Sequence, residues 1–305
     1  MTRHGRREAQ SREQSWFRNE RESLFDTFLT TVDRAIGFFE NNWVRIQEFF
    51  NSVFFTSITG AAAGAIAGAI AAQRIADRSR NKAELLKEIR ATNLAITNAV
   101  SAANTAIAAK KQLIKPMMKV YKEQVDEYQQ SLRNKPAMYE FQAYFMTLPE
   151  LRIPIAALQA QTSEKISLNA RGIALVNALE QAVDGLNRSI LKRNELIQQY
   201  MKARLTDTQL LALYFGAPLE EGKFNQEYPN AVEAIYRQCD DVIFFSVQLC
   251  DELMQHGTHA AKQFGKRAPD VVKVDFATPR EACLMPDDND YAGCFTGFVK
   301  KAVRS

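Results

Sequence analysis

The feature that most constrains this 305-residue chain is a run without any ionisable side chain, residues 49–73. Its central part reads VFFTSITGAAAGAIAGAIAA, residues 53–72. A helix rises about 1.5 Å per residue, so roughly 20 residues are enough to cross a bilayer. Alanine, glycine and threonine, however, favour insertion only weakly. The run therefore predicts a membrane segment, residues 51–73, with a packing helix of a soluble bundle as the alternative.

Three glycines spaced four residues apart, Gly60, Gly64 and Gly68, share one face of this predicted helix. Small residues at this spacing allow a second helix to approach closely, as in pairs of membrane helices. In a soluble helix each glycine would instead cost about 1 kcal/mol of stability relative to alanine. We therefore expect these glycines to form a helix-packing face, and we expect the protein to form a homo-oligomer.

Before the uncharged run, the sequence predicts a flexible basic head, residues 1–23, and an amphipathic helix, residues 24–50. Phenylalanine and tryptophan on one helix face are typical of the water–lipid interface, although packing on a protein core produces the same pattern. The residues expected at the interface are Phe25, Phe28, Phe39, Trp43 and Phe50.

Basic residues are concentrated directly after the uncharged run, from Arg74 to Arg90. By the positive-inside rule, this asymmetry predicts a membrane protein whose C-terminal domain is cytoplasmic. The arginines of the head would favour the same side, and a single crossing cannot satisfy both. A shallow hairpin or an interfacial arrangement is therefore an alternative to one crossing.

Apolar residues at helical spacing predict an antiparallel bundle of long helices over residues 74–267. The second long helix is expected at about 163–204, and the third from Pro229 to His256, with Gly257 as its stop. Arg193 interrupts the second helix and is expected to reach solvent or an acid. Residues of the first helix repeat every seven positions and predict an oligomer or bundle seam: Leu86, Asn93, Val100, Ile107 and Ile114.

Local signals mark several ends and connections. Pro116 is expected to kink or end the first helix, and residues 148–155 are expected to be an extended connector. Thr206 and Gln209 have the spacing of a capping box. In the C-terminal tail, residues 268–305, a small ribbon could pair residues 271–276 with residues 294–299.

No motif for catalysis or for nucleotide binding occurs in the chain, and the sequence predicts neither enzyme activity nor a cofactor. The net charge of +4 is too small to indicate nucleic-acid binding. The cysteines lack the paired spacing of a zinc site, so no metal is expected. Cys239 and Cys250 are expected in the core, His256 and His259 near a helix end, and residues 286–293 in a turn.

These observations predict an all-α protein that combines the amphipathic helix, one Gly/Ala-rich membrane segment and the bundle. The leading hypothesis is a membrane-perturbing or channel-like effector whose partners are the lipid bilayer and other copies of the chain. Bacterial anti-phage effectors often have such a layout, which is an analogy of architecture only. The alternatives are a passive anchor or scaffold for a soluble protein partner, and a soluble helical protein.

Overall fold

A computed structural model describes residues 53–134, 141–219 and 222–294, with side chains from residue 64 onward. The described residues are helical and contain no β-strand, which confirms the all-α class. The chain divides into two compact units, Met1–Ser79 and Arg80–Ser305. The predicted head and the predicted amphipathic helix precede residue 53 and lie outside the described residues.

Seven α-helices are found in the described part of the chain, together with two short turns of other helix types. The turns are a π-helical turn, Lys110–Ile114, and a 3-10 turn, Asp288–Tyr291. The α-helices are α1 (Val53–Ala109), α2 (Lys115–Asn134), α3 (Ile155–Glu164), α4 (Ala170–Lys202), α5 (Asp207–Phe215), α6 (Glu227–Phe264) and α7 (Ala277–Glu281).

Helices α1 and α6 lie antiparallel in the second unit, as their paired side chains show. Early in the part of α1 that belongs to the second unit, Glu88 contacts His256, which lies in the last third of α6. At the end of α1, Lys110 forms an ion pair with Asp240, from the first half of α6. The order of contacts along one helix is thus the reverse of the order along the other.

Helix α4 is also antiparallel to α6, since Arg171 contacts Glu252 and Lys192 contacts Glu227. The segment that precedes α4, residues 141–169, runs back along it in irregular form with the short α3 inside. This arrangement confirms the predicted bundle; the predicted connector, residues 148–155, is irregular as far as Pro154, and Ile155 already begins α3.

The core of the bundle is aliphatic, with aromatic side chains collected around α5. Each large apolar side chain that is fully buried contributes about 1.5–3 kcal/mol relative to exposure. The predicted core cysteines are confirmed, because Cys239 and Cys250 are both fully buried, and burial raises the pKa of each thiol to about 12. Among the fully buried aliphatic residues are Ile89, Ile96, Leu175, Leu179, Leu186, Ile190, Ile235 and Leu253.

The chain passes Pro116 without leaving the helix. The N–H of Lys115 donates to the carbonyl oxygen of Lys110, five residues earlier, which closes the wide ring of a π-turn. Proline has no N–H and its ring clashes with the carbonyl four residues back, so a wider turn before it relieves both problems. Helix α2 then continues to Asn134.

Helix ends follow local signals in one case and tertiary contacts in another. The capping box of Thr206 and Gln209 is confirmed at the start of α5, which ends at Gly216 with a φ of 67°. The prediction that Gly257 stops the third long helix is wrong, because α6 continues to Phe264 and ends at Gly265, whose φ is 98°. Helix α4 begins later than predicted, after the N-cap residue Asn169.

The C-terminal tail is irregular where a strand was predicted. Residues 271–276 belong to no strand, and their predicted partner, residues 294–299, lies almost entirely outside the described residues. Asn93 instead holds the start of this segment against α1: its side chain accepts from the N–H of Val272 and donates to the carbonyl of Asp270. The predicted turn at residues 286–293 is confirmed.

Candidate functional site

The first part of α1 is exposed on every side. Residues 64–84 are all exposed, and Ile66, Ile70 and Ile75 keep between 49% and 67% of their surface in contact with solvent. A Cβ atom placed on Gly64 or Gly68 would meet no atom of the described chain within 4 Å. The glycine face is therefore bare in a single copy of the chain.

In the first part of α1, apolar and polar residues follow one another along the helix axis instead of lying on opposite faces of the helix. Residues 64–72 consist only of glycine, alanine and isoleucine, whereas the next residues, from Gln73 to Lys82, include four basic side chains. A helix that packs on a protein core normally separates the two classes around its axis, with one apolar stripe and one polar face. Residues 64–72 have no polar face.

The predicted membrane segment is helical from Val53 onward, and Gly60 lies on this helix among residues whose side chains are not described. No helix of the described residues has both the length and the apolar content that crossing a membrane requires. The structure thus gives the predicted transmembrane helix no support.

The other predicted site residues fall into two groups. Phe25, Phe28, Phe39, Trp43 and Phe50, expected at a lipid interface, lie outside the described residues. Among the seam residues, Ile107 and Ile114 are buried in the core of their own chain and Val100 packs against this core, whereas Leu86 and Asn93 are half-buried.

At one end of the bundle, three segments of the chain meet around Glu88. Its Oε1 accepts a hydrogen bond from the backbone N–H of Ser167 at 2.9 Å and lies 3.0 Å from Nε2 of His256. Burial pushes the pKa of Glu88 upward, but these contacts outweigh burial and leave the pKa below its ordinary value. His256 thus lies within α6 and pairs with the carboxylate of Glu88 on α1, rather than lying at a helix end as predicted.

Gly257, one residue further along α6, allows the C-terminal segment to cross this end. A Cβ atom at Gly257 would lie 2.9 Å from a methyl group of Val271 and 3.2 Å from that of Thr92. The absence of a side chain at Gly257 thus leaves room for the side chains of Val271 and Thr92. The predicted stop signal is therefore a packing position, and together with Asn93 it holds residues 270–272 against α1.

A cluster of exposed basic side chains surrounds this crossing. Lys262, Lys266 and Lys273 line a shallow groove between the end of α6 and residues 268–273, and Arg267 is exposed beside it. Lys87 and Arg90 are exposed on the turns of α1 that carry Glu88. We call this surface the basic end; it consists of Lys87, Arg90, Lys262, Lys266, Arg267 and Lys273.

Two buried charged groups were not predicted. Lys110 is 2% exposed and pairs with Asp240, next to the π-turn. Arg193 was expected to reach solvent or an acid, but it is fully buried and donates to the carbonyl oxygens of Met146 and Tyr144. In the sequence, the one indication of this burial is that each of the two side chains interrupts an apolar helix face.

The described residues contain no group of three or more His, Cys, Asp or Glu side chains placed to hold a metal ion. Comparison of the chain with protein-family models, with curated proteins and with solved structures finds no match. The exposed helix and the basic end are therefore the features of the described residues that can indicate a function.

Proposed function

We propose that the protein acts at a membrane as a homo-oligomer, with its Gly/Ala-rich helix inserted in the bilayer, where the assembled helices perturb the bilayer or form a channel. The observation that carries the proposal is the exposure, on all sides, of residues 64–72, which have no polar side chain. The bundle of residues 80–305 would be the part that receives a signal or binds a soluble partner.

The all-round exposure favours a bilayer over a soluble partner as the environment of this helix. A helix that is apolar on every side is normally buried, either in a large protein or in a membrane. A soluble partner would have to surround residues 64–72 completely, whereas lipid covers every face that other helices leave free. The uncharged run extends back to residue 49, which gives it the length for a crossing.

The bare glycine face favours association with identical helices. Lipid does not drive helices together by the hydrophobic effect, so membrane helices associate through close packing, which small residues permit. Gly64 and Gly68 have open space beside them in the single chain, as such a contact requires. The resemblance of this layout to anti-phage effectors is an architectural analogy and does not identify the trigger.

The test of membrane insertion is alkaline carbonate extraction of membranes from cells that express the intact chain or a chain lacking residues 53–72. We expect the intact chain to stay in the pellet and the deleted chain to be released. Release of the intact chain would refute the proposal, and the helix would then belong to a soluble assembly.

The test of the effector function is dye release from vesicles, measured together with cross-linking of the oligomer. Gly64→Ile places a large side chain on the glycine face, and we expect it to abolish both oligomers and dye release. Ala69→Ile is the matched control, because it adds an isoleucine about 140° away around the helix. Dye release that persists without oligomers would refute the effector, and a membrane-bound protein that releases no dye would be a passive anchor or scaffold.

A further inference from the structure

We propose that the basic end of the bundle binds the headgroups of anionic phospholipids. This inference deepens the proposed function and rests on it, because it names the lipid class that the second unit contacts once α1 is in the membrane. The contact would hold the bundle against the membrane surface by charge, separately from the insertion of the helix.

The first support is that the fold brings the basic side chains together from distant parts of the sequence. Asn93 fixes the backbone of Asp270 and Val272 to α1, with donor–acceptor distances of 2.9 and 3.0 Å. Glu88 fixes Ser167 and His256 to the same helix. The cations on α1 and those on residues 262–273 are thereby held at one end of the bundle.

The second support is the charge balance of this surface. Residues 262–273 contain four basic side chains and one acid, Asp270. No carboxylate within the described ranges forms an ion pair with Lys262, Lys266 or Lys273. The carboxylate of Glu88 is already engaged by Ser167 and His256, so it does not neutralise these lysines.

The third support is an exposed apolar side chain within the cluster. Val272 keeps 37% of its surface exposed and lies beside Lys273. Apolar residues among lysines are typical of surfaces that lie on a membrane, since the apolar group reaches below the headgroups that the lysines contact. Lysines lining a shallow, open groove also suit a plane of phosphates better than a single enclosed ligand.

The position of the basic end in the chain favours lipid over nucleic acid. Arg74, Arg78, Arg80 and Lys82 directly follow the uncharged run, and Lys87 and Arg90 continue this basic series further along α1. Clusters of basic residues immediately after a membrane segment are typical of contacts with anionic lipids. A net charge of +4 for the whole chain does not provide the broad positive field of a nucleic-acid-binding protein.

The experiment is co-sedimentation of the full chain with vesicles of phosphatidylcholine alone and with vesicles that also contain phosphatidylserine, at low and high salt. The test variant is Lys266→Gln/Lys273→Gln. The matched control is Lys115→Gln/Lys122→Gln, which removes the same charge from two exposed lysines roughly 30 Å or more away along the helix axis. All four lysines are exposed, so neither variant should disturb the core.

We expect the intact chain to prefer vesicles with phosphatidylserine and to lose this preference at high salt. The test variant should weaken the additional binding about fivefold per lysine, or roughly thirtyfold for the pair, whereas the control variant should retain it. A preference that the test variant keeps, or that both variants lose equally, would refute the inference.

The outcomes separate this inference from the proposed function. Binding to phosphatidylcholine alone reports insertion of the helix, and its loss would refute the proposed function whatever the charge of the lipid. Binding to both vesicle types with equal affinity would refute only the lipid-binding inference. A DNA duplex that binds the intact chain but not the test variant, while the binding of vesicles is unchanged, would reassign the basic end to nucleic acid.

Discussion

Lys110 and Asp240 form an ion pair inside the bundle, between the π-turn and α6. The side chain of Lys110 is 2% exposed and that of Asp240 is 17% exposed. Burial raises the pKa of Asp240 above its ordinary value, although the hydrogen bond and the positive charge of Lys110 act in the opposite direction. The ring of Tyr236 lies 5.3 Å from the Lys110 ammonium nitrogen and contributes a cation–π contact.

Removing one partner of this pair should destabilise the bundle strongly. We expect Asp240→Asn to lower the free energy of unfolding by about 3 kcal/mol, because it leaves the ammonium of Lys110 buried without a counter-charge. Adding Lys110→Met should recover most of the loss, since no charge is then left buried without a partner. Urea denaturation followed by circular dichroism measures both values. A double variant no more stable than Asp240→Asn would contradict this account.

Local signals were enough to predict much of the fold. The capping box at Thr206 depends on residues three apart, and the connector at residues 148–155 on two prolines, so both are visible in a short stretch of sequence. The burial of Cys239 and Cys250 follows from the apolar periodicity of one helix. The capping box and the connector are specified by residues that are neighbours in sequence, which is why a short stretch was enough to predict them.

The features that sequence reasoning missed depend on residues far apart in the chain. Gly257 appeared to be a helix stop, but its role is set by Val271 and Thr92, and Thr92 is distant in the sequence. The strand predicted at residues 271–276 is replaced by hydrogen bonds to Asn93. The apolar periodicity of one segment does not show which distant segment will pack across it. The clustering of basic residues at the basic end therefore could not be predicted.

The carboxylate of Glu88 should make the stability of the bundle depend on pH. Its pKa is lowered on folding, so the folded protein holds fewer protons there than the unfolded chain does. Its contribution is therefore complete at pH values above the ordinary glutamate pKa of about 4.3, and it is lost as the pH falls through the lower folded-state value.

We accordingly expect Glu88→Gln to cost about 1 kcal/mol at neutral pH and much less in acid, because the variant lacks the charge-assisted hydrogen bonds of the carboxylate. Unfolding by urea at a series of pH values measures the difference. Glu84→Gln is the control on the same helix, since Glu84 is exposed and its one ion-pair partner among the described residues is Arg80. A difference between wild type and Glu88→Gln that does not shrink in acid would disprove the role of ionised Glu88.

A methyl group at Gly257 should loosen the crossing of the C-terminal segment. We expect Gly257→Ala to destabilise the protein by about 1–3 kcal/mol, because the new methyl group would lie 2.9 Å from Val271. The gain in helix propensity, about 1 kcal/mol, offsets only part of this cost. Adding Val271→Ala should restore stability by removing the clash. Thermal unfolding gives the stability, and hydrogen exchange of residues 268–276 shows whether the segment is released.

Arg193 should act as a connector between α4 and the irregular segment that runs back along it. Its guanidinium lies 2.7 Å from the carbonyl oxygen of Met146 and 3.2 Å from the hydroxyl of Tyr228, and it also reaches the carbonyl of Tyr144. One planar group thereby satisfies three acceptors on two segments of the chain, and it lies over the ring of Tyr228.

We expect Arg193→Met to lower the free energy of unfolding by about 3 kcal/mol, since the carbonyl groups would lose their donors in a partly buried position. Arg193→Lys should be intermediate, because an ammonium lacks the fork that reaches several acceptors at once. Tyr228→Phe removes only a hydroxyl from this network and should cost about 1 kcal/mol. Urea denaturation ranks the three variants. If Arg193→Met were as stable as the wild type, packing of α4 against α6 alone would hold residues 141–154 in place, and the buried guanidinium would need another explanation.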